Sequence, residues 1–167
     1  MAVTTVNHVA RLLTGVWLGF FAMTALADDP NKLLAEEDVT LAKIKTFFDA
    51  AFLKTEMDEN KLKITDGGFK AFIKIDEKKK LITYFSGWKM KESVSETKKL
   101  QLVNKLNDDL IVVRFSMPRP TVLWCDYQVL YEGGVTPYSI VNNYRIFAKV
   151  TRGAASTRDP DDIIGSD

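Results

Sequence analysis

The chain has 167 residues, with 23 basic and 22 acidic side chains, one histidine and one cysteine. This length suits a single domain with a substantial hydrophobic core. The near-zero net charge argues against a nucleic-acid partner, and a single cysteine excludes an internal disulfide.

Residues 1–27 have the three-part pattern of a secretory signal peptide. One charge, Arg11, precedes an apolar run of 13 residues at 12–24, and small residues lead up to Ala27. A membrane-spanning helix needs roughly 20 apolar residues, so this run is short for a retained anchor. We therefore expect cleavage after Ala27, no stable membrane span in the mature protein, and a periplasmic or secreted location. The alternative is a membrane-tethered regulator that retains this segment.

Cleavage would also remove the only histidine, His8. Without an imidazole, the mature chain could not carry a Ser-His-Asp or Cys-His relay or a zinc site built on histidine. The calcium-loop pattern D-x-[DN]-x-[DN]-G does not occur in the sequence either. We therefore predict no catalytic residue set, no metal site and no cofactor.

The mature chain opens with an acidic segment, 28–38, which we expect to be flexible. A single α+β domain is predicted to follow over 39–150. Its first helix is predicted at 39–52, because apolar residues recur there at helical spacing. Three strands, in which apolar and polar residues alternate between polar turns, are then predicted at 61–64, 69–76 and 81–88.

The capping-box pattern Ser93-x-x-Glu96 indicates the start of a second helix, which ends near 107. The buried stripe of this helix is predicted to be Leu100, Val103 and Leu106. Two strong strand candidates follow at 110–116 and 121–131. The prolines between them, Pro118 and Pro120, are expected to prevent ladder pairing there.

Thr136-Pro137 predicts the start of the last helix, since threonine is a good N-cap and proline is favoured at the first helical position. Its inward residues are predicted to be Ile140, Val141, Tyr144 and Phe147. Beyond 150 the chain is polar, and 151–167 is predicted to be disordered. The glycines before this helix are interpreted as a structural turn and not an anion cradle, because Pro137 lacks an amide hydrogen and Glu132 would repel an anion. The predicted order is helix, three strands, helix, two strands, helix.

Several features of the second half carry a family resemblance. They are Arg114-Phe115-Ser116, the turn Tyr131-Glu132-Gly133-Gly134, the helical aromatics Tyr144 and Phe147, and the short acidic tail. Together they resemble the YbjN-type family of bacterial sensory-transduction regulators, over about 39–150. The resemblance implies an antiparallel sheet with helices packed on it, similar to type III secretion chaperones and often paired as a homodimer. It also implies regulation or protein binding without catalytic residues. Many relatives are thought of as cytoplasmic, so the predicted signal peptide departs from the family's pattern.

Charge points to one candidate surface, because residues 61–105 hold 12 basic and 5 acidic side chains. Lys70 and Lys74 share the solvent side of a predicted strand and could receive an acidic peptide or an anionic membrane surface. The favoured alternative is a solvated sheet face whose lysines discourage aggregation.

Aromatic residues offer a second candidate surface. Trp124 lies on the opposite strand face from Cys125, which is interpreted as a buried, inert thiol. If Trp124 and Phe72 were exposed together, they would form an apolar groove for an extended segment or a second subunit. The favoured expectation is that both are buried under the first and third helices. The candidate protein-binding residues are Lys70, Phe72, Lys74, Trp88 and Trp124.

The competing hypothesis is a small carboxylate-dependent hydrolase that uses Asp126 and Glu132. Six residues along an extended strand separate these acids by about 20 Å, at ~3.3 Å per residue. That distance is unfavourable for a shared site. The sequence therefore predicts an exported, non-enzymatic domain of the cell envelope with a protein or peptide partner.

Overall fold

The computed structural model describes residues 29–165, so the predicted signal peptide and its cleavage site lie outside the described residues. The described chain contains a single six-stranded sheet, in which every neighbouring pair is antiparallel. The strand order across this sheet is β1-β2-β3-β4-β6-β5. The elements in chain order are α1 (Leu41–Ala50), β1 (Lys54–Asp58), β2 (Lys61–Asp66), β3 (Phe69–Asp76), β4 (Leu81–Lys89), α2 (Glu96–Asp109), β5 (Arg114–Arg119), β6 (Val122–Leu130) and α3 (Pro137–Thr157).

The predicted α+β class, an antiparallel sheet with helices packed on it, is confirmed. The structure adds one strand, β1, to the predicted order. The sequence of β1, KTEMD, has Met57 as its only apolar residue, and it forms one edge of the sheet with neither face fully buried. An edge strand needs little apolar surface, so hydrophobic alternation does not reveal it.

All three helices pack against one face of the sheet. On that face the strands contribute Leu62, Ile64, Ala71, Ile73, Ile82, Tyr84, Leu123 and Cys125, all fully buried. The helices contribute Ile44, Phe48, Leu106, Ile140, Tyr144 and Phe147 to the same core. Val141 is buried on the same helix, so the four inward residues predicted for it, Ile140, Val141, Tyr144 and Phe147, are confirmed. No helix within residues 29–165 has both the length and the apolar character needed to cross a bilayer.

The second helix begins at Glu96 with Ser95 in the N-cap position, so the predicted Ser93 capping box is not its start. Its inward face is Lys99, Leu102, Val103 and Leu106, whereas Leu100, predicted to be buried, is 44% exposed. The long aliphatic stem of a lysine can lie against a core, which makes charge a poor guide to the phase of this helix.

Met117 and Pro118 have no ladder partner in the described part of the chain, as the prolines predict, but pairing resumes between Arg119 and Val122. The strand β5 therefore continues past Pro118. Two features permit it: β5 is an edge strand, and its register with β6 shifts between Ser116 and Arg119. The outer edge of β5 is partly covered, because the Phe115 N–H donates to Asn107 Oδ1 at 2.8 Å. The Asn107 side-chain amide donates in turn to the Phe115 carbonyl at 2.9 Å.

Both ends of the described chain are more structured than the sequence predicts. The last helix continues to Thr157, and beyond it Ile163 is buried and Ile164 bridges to Met90. Arg158 also pairs with Asp109 at 2.9 Å. These few apolar and charged contacts are spread through a polar segment, so composition alone suggests disorder.

At the other end, the acidic lead-in pairs with the glycine turn before the last helix. Leu34 and Val135 exchange backbone hydrogen bonds of 2.9 and 3.1 Å. Gly134 has φ = +105°, and a Cβ there would lie 2.6 Å from the Leu34 carbonyl oxygen. This close approach and the left-handed conformation require glycine, in keeping with the structural turn predicted. The Thr136 hydroxyl accepts from the Ser139 N–H at 3.1 Å, as expected of the predicted N-cap.

Candidate functional site

The sheet face opposite the helices, here called the open face, is the candidate site. Strand alternation places on it four of the five predicted contact residues: Lys70, Phe72, Lys74 and Trp124. The two aromatic side chains are half-buried and the two lysines are exposed. The expectation that Phe72 and Trp124 are buried under helices is therefore wrong. Their strand neighbours, Ala71 and Cys125, occupy the helix-covered side instead.

Trp88, the fifth predicted contact residue, lies on the other face of the sheet. It is the residue after Gly87, which pairs with Trp124 on the open face, so Trp88 faces the helices. There it stacks on Phe69, with ring centroids 5.8 Å apart. Trp88 therefore stacks on the helix-covered side, although it also borders the groove that Phe72 and Trp124 line.

Three rings on the open face form a continuous stack across β3, β4 and β6, here called the aromatic ladder: Phe72, Phe85 and Trp124. The centroid distances are 5.4 Å for Phe72–Phe85 and 5.1 Å for Phe85–Trp124, with interplanar angles of 22° and 24°. Such stacked pairs contribute about 0.5–1.5 kcal/mol each beyond their buried area. The indole reaches Phe85 diagonally across Gly87, which has no side chain to occupy that space.

Sequence reasoning did not single out Phe85. It is the direct cross-strand partner of Phe72. The signal that could have found it is the register of the β3–β4 hairpin, in which Asp76 pairs with Leu81. Counting back from that turn places the two phenylalanines opposite each other.

Lysines cover part of the aromatic ladder. Lys61 Nζ lies 5.4 Å from the centroid of the Phe72 ring, and Lys74 Nζ lies 5.8 Å from that of Phe85. These are cation–π distances. Stacking and the overlying ammonium groups occupy the ring faces, so the ladder presents mainly ring edges and positive charge to a ligand.

The open face carries eight basic and four acidic side chains, a net charge of +4. Each acid has a basic partner: Glu56–Lys63 at 3.0 Å, Asp58–Lys61 at 3.3 Å, Asp76–Lys79 at 3.9 Å and Asp126–Arg114 at 2.8 Å. Within residues 29–165, five open-face cations have no carboxylate partner: Lys54, Lys70, Lys74, Lys89 and Arg119. Three of these five cations, Lys70, Lys74 and Lys89, belong to the basic segment 61–105.

A groove with a volume of about 720 Å³ lies over the β4–β6–β5 part of the open face. Its lining includes Phe72 and Trp124 from the ladder and the basic residues Lys89, Arg114 and Arg119. This arrangement combines an apolar floor with a positively charged rim. Such a groove suits a ligand that carries both apolar and acidic side chains.

Asp126 and Glu132, the carboxylates of the competing hydrolase hypothesis, do not form a shared site. Asp126 is 5% exposed and is bound by two guanidinium nitrogens of Arg114, at 2.8 and 3.3 Å. Glu132 is exposed in the turn beyond the end of β6. Asp126 and Arg114 are direct cross-strand partners, so this ion pair joins β6 to β5 on the open face.

The single cysteine, Cys125, is buried on the helix-covered side of the sheet. Burial raises the pKa of the Cys125 thiol to about 12, and the thiol donates to the Ser86 carbonyl at 3.3 Å. The residues from 29 to 165 include no histidine. The same span holds no cluster of three or more acidic or cysteine side chains able to bind a metal ion.

Comparison with models of protein families shows which family this chain belongs to. The family described as "Putative bacterial sensory transduction regulator", YbjN, matches residues 37–156. The chain belongs to the YbjN family. A comparison with curated proteins finds no significant match.

Two solved structures support the same fold, and a third shows a weaker likeness. Escherichia coli YbjN superposes with a TM-score of 0.63 at 11% sequence identity, covering 75% of this chain and 95% of that one. A chain of the HopA1–SchA chaperone–effector complex gives a TM-score of 0.50 at 11% identity, covering 66% and 88%. The Yersinia pestis type III secretion chaperone SycH, solved with a fragment of YscM2, gives 0.47 at 13% identity, covering 67% and 97%. The YbjN family and this chaperone-like fold agree with the predicted resemblance.

Proposed function

We propose that this protein is an exported, non-catalytic binding domain of the bacterial cell envelope that receives a protein segment on its open face. The observation that carries the proposal is the aromatic ladder beside five unmatched cations, on a sheet face that no described helix covers. Large apolar groups ringed by charge on a solvent-facing surface are typical of interaction sites. The regulator description of the family and the chaperone–effector complex among its structural neighbours support a protein partner.

The binding surface can be tested in living cells with a photo-crosslinking amino acid at Gln128. This residue is exposed on the open face but belongs neither to the ladder nor to the cations. The control position is Lys149, exposed on the third helix. We expect Gln128 to give a discrete adduct with a protein that Lys149 does not capture. We also expect the adduct to disappear when Trp124→Ala is combined with Lys70→Glu and Lys74→Glu. An adduct that survives these changes would place the binding surface elsewhere.

The proposed export rests on the signal-peptide pattern of residues 1–27. Its test is the intact mass of protein recovered from the native host after fractionation. We expect a chain that begins at Asp28 in the periplasmic or secreted fraction. Full-length protein in the membrane fraction would favour the tethered alternative, and full-length protein in the cytosol would contradict export altogether.

We also propose that the protein pairs as a homodimer, as the family resemblance suggests. A dimer that joined two open faces would oppose two surfaces of net charge +4, which is unfavourable. The proposed dimer therefore leaves the open faces accessible. Sedimentation equilibrium should give the same dimer mass for the wild type and for Lys70→Glu/Lys74→Glu. A monomeric wild type would contradict the pairing.

A further inference from the structure

We propose that the open face recognises an extended acidic segment with the pattern acidic–x–apolar–x–acidic. This inference rests on the proposed function and names the chemistry of its partner. It is drawn from the spacing of side chains along β3, the unmatched charge of the face, and the space above Gly87.

The spacing comes from three successive open-face residues of β3: Lys70, Phe72 and Lys74. Alternate residues of a strand lie roughly 6.6 Å apart along one face. An extended peptide has the same repeat, so its residues i, i+2 and i+4 can lie opposite these three side chains. An apolar residue opposite Phe72 would then lie between two acidic residues opposite the lysines. The apolar side chain would contact the ring edges of the aromatic ladder.

The charge of the face favours an acidic occupant. Five cations lack a carboxylate partner within the described chain, and four of them, Lys70, Lys74, Lys89 and Arg119, lie on strands that line the groove. An acidic segment would supply the missing partners, whereas a second copy of this face would repel. Charge complementarity therefore favours an acidic segment over a second open face as the occupant.

Two other anionic partners fit the geometry less well. Single-stranded nucleic acid binds aromatic residues by stacking bases on ring faces. Here the rings stack on one another and lysines lie over Phe72 and Phe85. A membrane surface would require protruding apolar groups, but these rings are half-buried beside a groove of about 720 Å³. An extended peptide can enter such a groove.

Gly87 allows the groove to be blocked without any change in charge. A Cβ at this position would lie 3.7 Å from Trp124 Cε3, an ordinary contact, so a small side chain is tolerated. Its remaining atoms would project into the space above β4 that the proposed apolar residue occupies. Gly87→Val is therefore a blocking variant whose β-branched residue suits a strand.

The experiment measures fluorescence anisotropy of a labelled peptide, Glu-Ser-Leu-Ser-Glu-Ser-Leu-Ser-Glu, with the mature chain. We expect salt-sensitive binding that weakens about tenfold in Lys70→Glu/Lys74→Glu and roughly thirtyfold in Trp124→Ala. Gly87→Val should also lose binding. The matched control, Lys105→Glu/Lys149→Glu, makes the same charge change on exposed helix residues and should bind within about twofold of the wild type.

Three further probes separate the alternatives. They are the same peptide with glutamine for glutamate, an oligothymidylate, and phosphatidylglycerol vesicles. We expect the glutamine peptide to bind at least about tenfold more weakly, since it lacks the charges. Equal binding of the glutamine peptide, binding of oligothymidylate or vesicles alone, or binding of no probe would each overturn the acidic pattern. The crosslink from Gln128 tests the proposed function separately, because it does not depend on the sequence of the partner.

Discussion

The edge of β5 offers a sharp test of how this sheet is terminated. Asn107 makes two hydrogen bonds with the backbone of Phe115, at 2.8 and 2.9 Å, and so takes the place of a neighbouring strand. Asn107→Ala removes both. At about 1 kcal/mol for each neutral hydrogen bond, and less where water competes, the loss is about 1 to 2 kcal/mol. The control is Asn104→Ala, an exposed residue three positions earlier on the same helix.

Both substitutions increase helix propensity by about half a kcal/mol, so the difference between them isolates the contact with Phe115. Urea unfolding followed by tryptophan fluorescence should place the Asn107→Ala midpoint roughly 0.5–1 M below that of Asn104→Ala. Hydrogen exchange at the Phe115 amide should accelerate in Asn107→Ala alone, because that N–H loses its acceptor. Equal midpoints together with unchanged exchange at Phe115 would refute the strand-like role of this side chain.

Three further predictions concern the core and the glycine turn. Tyr144→Phe should leave the melting temperature unchanged or raise it, because the buried Tyr144 hydroxyl has no hydrogen-bond partner among residues 29–165. Tyr84→Phe should instead cost about 1 kcal/mol, because it removes a 2.8 Å bond to the Ile140 carbonyl. A lower melting point for Tyr144→Phe would contradict this reasoning. Burial raises the pKa of the Cys125 thiol from 9.0 to about 12. Its contribution to the free energy of unfolding is therefore complete below pH 9 and is lost as the pH rises toward 12, by up to about 1.4 kcal/mol per pH unit. Unfolding curves at pH 8 to 11 should show this decrease in stability with pH, and the decrease should be smaller in Cys125→Ala. Gly134→Ala should destabilise the protein by more than about 2 kcal/mol, because its Cβ would lie 2.6 Å from the Leu34 carbonyl oxygen. Gly133→Ala has nothing near its Cβ in the described chain and should cost only about 1–2 kcal/mol, for its positive φ. Equal costs of the two substitutions in chemical denaturation would exclude the steric cause.

Structural features that depend only on residues close together in the sequence, such as helix starts and helix faces, could be predicted. Thr136 and Pro137 define a helix start through a local cap, and the structure places the helix there. The inward stripe of that helix is also correct, because four large apolar residues share its period. Local chemistry and periodicity decide both features, whatever the rest of the fold.

Features that depend on distant pairing could not be read in the same way. Trp88 faces the helices because β4 pairs with β6, and the whole of α2 and β5 separates these strands in the chain. The aromatic ladder depends on the same pairing, since Trp124 reaches Phe85 from β6. Alternation predicts that neighbouring residues point to opposite faces, but only the tertiary register decides which face receives the helices. The predicted set of contact residues was therefore correct in alternation at Phe72 and Trp124 and misplaced at Trp88.

The composition of the open face limits nonspecific association and suits the acidic partner that we propose. Three large rings on a solvent-facing sheet would favour nonspecific association if their faces were bare. In this protein the rings cover one another, and ammonium groups lie 5.4 and 5.8 Å from two of the centroids. A purely apolar ligand would have to approach beside Lys70 and Lys74, which have no carboxylate partner among the described residues. Such a ligand offers these lysines no favourable charge interaction. A ligand with acidic side chains compensates those cations and brings its apolar group onto the ring edges in the same step. With the acidic partner that we propose, the arrangement would discriminate by charge before it gains energy from apolar contact.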